Sequence, residues 1–223
     1  SYRYDTEANI AVSVNEINGG KTISTENLNK TSLISGTLTY DEQDINAKDI
    51  QVKVNINGKE YDATVSDKKW SLNLPINEGS LIEGNNHLKV NVIAKDVAGN
   101  TATAESAVDF QADMTPPMPI ITLNPINENN VVAKTATDSV VLSGKVSGDF
   151  TVGEQLILMY NGKTQSVEIQ QDGAFSLTLL AAELASSNSL IVSTVYTTKD
   201  SVGNVGSAQS DLSYSVSQGD IAI

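Results

Sequence analysis

Two tandem all-β sandwiches are what this 223-residue sequence predicts, and three observations carry the expectation. Segments such as IAVSV from Ile10, QVKVNI from Gln51 and HLKVNVIA from His87 alternate apolar with polar residues at period two, the pattern of strands with one wet face. Short runs rich in Val, Ile and Thr recur roughly every ten residues between Gly, Asn and Asp, and no segment carries a convincing helical period. The chain also repeats itself: DVAGNTA at Asp96 to Ala102 returns as DSVGNVG at Asp200 to Gly206, 104 positions later.

Other landmarks keep nearly the same offset. NGK at Asn57 to Lys59 matches Asn161 to Lys163, and Trp70-Ser-Leu matches Phe175-Ser-Leu. Upstream, VSVNEIN from Val12 aligns with ITLNPIN from Ile121, and Gly36 aligns with Gly144. A repeat of roughly 105 residues is too long for a solenoid unit and suits an independently folded domain. The expected domains are Ser1 to Ala112 and Asp113 to Ile223, with ADMTPPMP (Ala112 to Pro119) as a proline-stiffened linker that cannot donate to a ladder.

Each copy accommodates seven strands. In the first they are expected near Ile10–Ile17, Thr31–Tyr40, Ile50–Ile56, Glu60–Val65, Trp70–Leu74, His87–Lys95 and Thr101–Phe110. In the second they are expected near Ile120–Leu123, Ser139–Val146, Gln155–Tyr160, Lys163–Ile169, Ala174–Leu179, Ser189–Thr198 and Ser207–Val216. Asn57-Gly58 and Asn161-Gly162 are two-residue hairpin signals, because both residue types tolerate the positive φ of a type I′ turn. Trp70 and Phe175 read as core plugs. PINEGSLIEGNN and LAAELASSN, between the fifth and sixth strands, are the places for a short helical turn. Tyr160, Tyr196 and Tyr214 stay unassigned between core and surface.

Composition narrows the function. A net charge of -13 argues against nucleic-acid and anionic-membrane partners, which need basic patches, and leaves cations open. Without cysteine there is neither a disulfide framework nor a thiolate metal site. No apolar run approaches the ~20 residues of a membrane-spanning helix. The sequence reads as a monomeric piece of something longer, with Asp220 opening a following linker in residues 218–223.

Strand parity locates the acidic residues. In an up-and-down alternation, loops after even-numbered strands return to the pole where the chain enters. In the second copy this gathers Asp113 of the linker with Asp149, Asp172 and Asp200; in the first it gathers Asp5, Asp41, Asp44, Asp67 and Asp96. Convergent carboxylates repel unless a cation sits among them, and Ca²⁺ suits oxygen-only ligands, with backbone carbonyls completing its shell. These nine Asp are the candidate Ca²⁺ ligands; the competing reading is that each Asp caps its own turn.

With these residues placed, the stretch DVAGNTATAESAVDFQADMTPPMP resembles the closing strand pair and linker of bacterial immunoglobulin-like (Big) repeats in giant secreted adhesins. The matching features are the DxAGN loop at Asp96 to Asn100, the Asp109 to Pro117 linker, Gly36, and Trp70 to Leu72. A second set lies at Asp200 to Asn204, Gly144 and Phe175 to Leu177. The resemblance implies immunoglobulin-like sandwiches, export to the bacterial cell surface, and calcium at domain junctions stiffening a stalk in adhesion or biofilm formation. The implied partners are neighbouring repeats of the same chain and a host-cell or biofilm surface ligand of the parent protein. Ser213 stands where Asp109 would align, which weakens Asp109 as a ligand.

Enzymatic readings fare poorly. The only histidine, His87, has no counterpart in the second copy and reads as a surface strand residue, so Ser-His and Cys-His dyads are nearly excluded. Paired carboxylates could serve a glycosidase, but one Trp and three Phe are few for an aromatic-lined cleft. A receptor- or glycan-binding module is the alternative to a spacer. It should show an aromatic-rich loop in one copy, and neither copy has one.

Overall fold

The computed structural model describes residues 6–27, 30, 33–73, 80–134 and 137–218. The chain separates into two compact units, Ser1–Thr115 with Val202–Asn204, and Pro116–Ser201 with Val205–Ile223.

The first unit contains strands β1 (Ile10–Val14), β2 (Ile34–Tyr40), β3 (Ile45–Ile56), β4 (Lys59–Asp62), β5 (Thr64–Ser66), β6 (Lys69–Leu72), β7 (Gly84–Asp96) and β8 (Thr101–Ala112). They form two antiparallel sheets of order β1-β2-β6-β5 and β4-β3-β7-β8. This is the strand pairing of an immunoglobulin sandwich, A-B-E-D against C′-C-F-G. Alternate residues of both sheets, among them Ile34, Leu38, Val52, Val54, Trp70, Leu88, Val90 and Val92, bury into one core. Trp70 is fully buried and its indole N–H donates to the Ser13 carbonyl at 3.0 Å.

The second unit repeats the plan. Its strands are β9 (Pro119–Leu123), β10 (Val131–Ala133), β11 (Ser139–Gly148), β12 (Gln155–Tyr160), β13 (Lys163–Glu168), β14 (Ala174–Leu180), β15 (Ile191–Lys199), β16 (Val205–Ser213) and β17 (Ser215–Ser217), with the short helix α1 (Ala181–Ala185). The sheets run β14-β11-β9 and β13-β12-β15-β16, and β10 pairs in parallel with β17. The core is separate and includes Leu142, Val146, Leu156, Leu158, Phe175, Val192 and Tyr196.

Both Asn-Gly hairpins adopt the expected left-handed backbone, with φ of 50° and 92° at Asn57-Gly58 and of 45° and 69° at Asn161-Gly162. The helical turn expected in LAAELASSN forms as α1; in PINEGSLIEGNN, residues 75–79 fall outside the described residues.

Four expectations need correction. The first strand stops at Val14, and Ile17–Gly20 forms an irregular turn in which Asn18, Gly19 and Gly20 take the left-handed φ of 51°, 62° and 77°. The Glu60–Val65 strand breaks at Ala63: its N–H to the Val52 carbonyl is the last bond of the β3–β4 ladder, and from Thr64 the chain pairs with β6 instead, so that β4 and β5 join different sheets. The last strand breaks at Tyr214, which buries its ring and donates through its hydroxyl to the Leu184 carbonyl at 2.8 Å. Strand β10 was not expected at all; three residues beside an Asn-rich turn carry too short a pattern to read.

Candidate metal-binding poles

At one end of the first unit, three loops meet. Asp41 opens the turn between β2 and β3: its Oδ1 accepts the Gln43 N–H at 2.9 Å and its carbonyl accepts the Asp44 N–H at 3.1 Å. The Asp44 carbonyl accepts the Val97 N–H at 2.9 Å, which joins this loop to the one between β7 and β8. The Asp67-Lys68 turn between β5 and β6, with φ of 48° and 59°, adjoins them, since the Lys68 carbonyl accepts the Leu38 N–H and its ammonium lies 3.5 Å from Glu42. Asp67 Oδ2 stands 3.4 Å from the Ser66 hydroxyl.

Asp96 closes the DVAGN loop on itself. Its Oδ1 accepts the Asn100 N–H and its Oδ2 the Asn100 side-chain amide, both at 2.7 Å, while Gly99 supplies the positive φ of 92°. Burial raises the Asp96 pKa, but the Asn100 side chain and the backbone N–H groups of Asn100, Ala98 and Gly99 outweigh it, and the net shift is downward. Asp113 follows β8. Its N–H donates to the Ile23 carbonyl at 2.8 Å and its Oδ1 accepts from Thr115 at 3.2 Å. Asp5 lies outside the described residues.

The second unit gathers its incoming chain at one pole. Asp149 Oδ2 accepts the Met118 N–H at 2.9 Å, and Asp149 donates its own N–H to the Met118 carbonyl at 3.3 Å. A Cβ on Gly148 would meet that carbonyl oxygen at 2.4 Å, so glycine is needed for the approach. The Asp172 turn lies alongside: Asp172 Oδ1 caps the Ala174 N–H at 3.0 Å, and the Gly173 carbonyl accepts from Val146 at 2.8 Å. Asp200 follows Lys199, the last residue of β15, in the turn to β16, where a Cβ on Gly206 would meet the Pro117 carbonyl at 1.8 Å.

Sequence reasoning missed two acidic residues. Glu154, just before β12, accepts a hydrogen bond from the fully buried Tyr196 hydroxyl, which in turn accepts the Thr151 N–H at 3.1 Å. Burial first, and Glu154 second, push the Tyr196 pKa up. The first-copy counterparts, 104 positions earlier, are Ile50 and Val92, so an apolar pair exchanged for a Glu-Tyr pair was the available signal. Glu83 accepts from the Met114 N–H at 2.9 Å and the Thr115 hydroxyl at 3.1 Å, anchoring the stretch after β8.

Among the described residues, no three of His, Asp and Glu stand close enough to hold one ion together. Asp41, Asp96, Asp113, Asp149 and Asp172 each accept a backbone N–H, the turn-capping role. A carboxylate oxygen that accepts a single bond keeps a second lone pair, as at Asp41, Asp149 and Asp172, whereas Asp113 Oδ1 accepts from both Thr115 and Asn204, and Asp96 is held by Asn100 and the backbone of its loop. A Ca²⁺ ion here would therefore take one or two carboxylates from a pole and complete its shell from backbone carbonyls and water.

No protein-family model matches the chain, and no curated protein does. Solved structures do match in fold. One is a Ca²⁺-stabilized adhesin described as helping an Antarctic bacterium to reach out and bind ice; it is 26% identical over 96% of this chain, with a TM-score of 0.71. Another, from work on host cell surface retention of a 1.5-MDa bacterial ice-binding adhesin, is 24% identical over 96% of this chain, with a TM-score of 0.65. A bacterial immunoglobulin-like domain from the M. primoryensis ice-binding adhesin matches 46% of this chain at 24% identity, with a TM-score of 0.40. The chain spans 51% of the first of these and 67% of the second. In fold, the chain is a tandem pair of immunoglobulin-like β-sandwiches of the kind found in large bacterial adhesins.

Proposed function

We propose that the chain is a pair of spacer repeats from a large bacterial cell-surface adhesin, and that Ca²⁺ bound at the incoming pole of each repeat stiffens it. The repeats serve cell adhesion or biofilm formation by extending a binding part elsewhere in the parent protein. The observation that carries the reading is the pole of the second unit, where Asp149, the Asp172 turn, the Asp200 turn and the Pro117–Met118 backbone draw together. Likeness to a Ca²⁺-stabilized adhesin supports the choice of ion.

In the second repeat the ligands are drawn from Asp149, Asp172 and Asp200 with neighbouring carbonyls; in the first, from Asp41, Asp44, Asp67 and Asp96. Asp5 and Asp113, in the stretches leading into each repeat, are available to the ion as well. Neutralising clustered carboxylates removes their mutual repulsion and ties the incoming stretch to the repeat it enters. Calorimetric titration of the whole chain with CaCl₂ tests this. Binding is expected, weaker in the double variant Asp149→Asn with Asp200→Asn. Equal affinity in the variant would refute this ligand set, and no binding heat in either protein would refute the ion.

A further inference from the structure

The two repeats route the same stretch of chain differently. Between the Asn-Gly hairpin and the aromatic plug, the first repeat gives Lys59–Asp62 to β3 and then lays β5 along the free side of β6, with Thr64 opposite Ser71 and Ser66 opposite Lys69. The second repeat keeps the whole stretch on β12. Lys163–Glu168 pair with it, the Ile169 N–H donates to the Glu154 carbonyl at 2.9 Å, and the Ile169 carbonyl accepts the Gly153 N–H at 2.8 Å. Val167 and Ile169 are buried where the first repeat has the half-buried Ala63 and Val65, and that burial favours the β12 route. No strand therefore covers β14, which is the edge of the sheet β14-β11-β9.

The register decides which backbone groups of β14 face outward. Val146 donates to the Gly173 carbonyl and Ala181 to the Asp138 carbonyl, so the odd-numbered residues bond to β11 and the even-numbered ones point away from it. At the two ends such groups are taken, the Ala174 carbonyl by the Gln170 N–H at 2.9 Å and the Leu180 N–H by the Glu183 carboxylate. Between them, the N–H and C=O of Ser176 and of Thr178 meet no partner among the described residues. The strand that carries them, Ala174–Leu180, has no charge, proline or glycine to guard an edge. Nearby, Gln165 stands on the inward side of β13, opposite the fully buried Leu158, and is exposed; its first-repeat counterpart, Tyr61, is half-buried.

We propose that the β14 edge is a strand-addition site, which takes an uncharged extended peptide antiparallel to β14. The first repeat supplies the form of the occupant, since β5 fills the same place there with Thr64, Val65 and Ser66. Main-chain bonds to Ser176 and Thr178 provide the attachment, and the net charge of -13 disfavours an acidic strand. A second chain is a poor occupant. Two β14 edges paired antiparallel about Leu177 would set Asp172 of each beside Glu183 of the other, a like-charge contact.

The number of free groups sets the strength. Two residues offer two donors and two acceptors, so attachment is weak, with a Kd on the order of 1 mM. This inference does not rest on the calcium reading.

The probe is the acetylated and amidated peptide SATVSS, built on the β5 sequence and titrated into the whole isotope-labelled chain, in CaCl₂ and again in EDTA. NMR shifts are expected at Ser176, Leu177 and Thr178 and not at Ser71, whose edge β5 already covers. At about ten times Kd the Ser176 and Thr178 amides should exchange roughly tenfold more slowly. The peptide SAPVSS, which lacks the N–H that would meet Ser176, should not bind, and it tests the same bonds without altering the protein. Thr178→Pro removes a donor that faces away from β11, where an edge strand tolerates proline, and should abolish binding with the sandwich folded. No shifts at roughly ten times that Kd, shifts centred elsewhere, equal binding of SAPVSS, or a folded Thr178→Pro that binds like the parent would overturn the proposal. So would protection of Ser176 and Thr178 by self-association without peptide.

Discussion

Gly36 stands directly across from Trp70 in the β2–β6 register, and a methyl group on Gly36 would lie 2.4 Å from the indole Nε1 and 1.9 Å from the Ser13 carbonyl oxygen. Gly144 stands in the same relation to Phe175, whose Cζ would lie 2.5 Å from the added carbon. The aromatic plug and the glycine beneath it are one device, used twice. Gly36→Ala is expected to destabilise the first unit by about 3 kcal/mol through overpacking. Trp70 is the chain's single tryptophan, so its fluorescence reports that unit's unfolding selectively in denaturant. Gly144→Ala should leave the fluorescence transition in place and shift only the circular dichroism of the second unit.

Asp96 gives the first unit an acid sensitivity. Its pKa is lower folded than unfolded, so the stability it contributes is complete above the ordinary carboxylate range and is lost as pH falls through the lowered folded value. Asp96→Asn is expected to unfold earlier than the parent at pH 7. The gap should close toward pH 2, where Asp96 is protonated in both states. Tryptophan-monitored urea curves at a series of pH values measure the convergence.

Asn57 and Asn161 hold more than their turns. Asn57 Nδ2 donates to the Ser80 carbonyl at 2.8 Å and to Asn86 Oδ1 at 2.7 Å, while Asn161 Nδ2 donates to the Glu183 carbonyl at 2.7 Å. Each hairpin thereby pins the connection to the next strand across the sandwich, from β6 to β7 in the first repeat and from β14 to β15 in the second. Replacing either by Gly keeps the positive φ and removes those bonds. A loss of about 1–2 kcal/mol is expected, with faster amide exchange at residues 80–86 or 183–187.

Thr194 has a buried hydroxyl with no hydrogen-bond partner, and its first-copy counterpart is Val90. Valine has nearly the same shape without the unmet polar atom. Thr194→Val is expected to stabilise the second unit by about 1 kcal/mol, read as a higher urea midpoint.

Much of the fold was legible because one wet face per strand leaves a period-two signature, and because a duplicated sequence aligns itself. Asn-Gly pairs fixed two turns from their chemistry alone. What stayed hidden turns on single contacts between distant residues. The chain leaves β3 at Ala63, after its bond to Val52, and pairs with β6 from Thr64, and Tyr214 breaks a strand through a bond to Leu184. The pole residues were half legible. Parity brings the Asp loops together, yet the same Asp chemistry that suits a cation also suits turn capping, and Asp96 satisfies both of its oxygens on Asn100. Glu154 escaped notice because its partner, Tyr196, lies 42 residues away.

Calcium dependence of stability tests the central claim most directly. Thermal unfolding of the whole chain is followed by tryptophan fluorescence and circular dichroism, in millimolar CaCl₂ and in EDTA. Ligand binding to the folded state alone should raise both transitions by roughly 10 °C, as about 2.7 kcal/mol of linkage at a hundredfold excess over Kd requires for domains of this size. Superimposable curves in the two buffers would contradict a calcium-stabilised spacer.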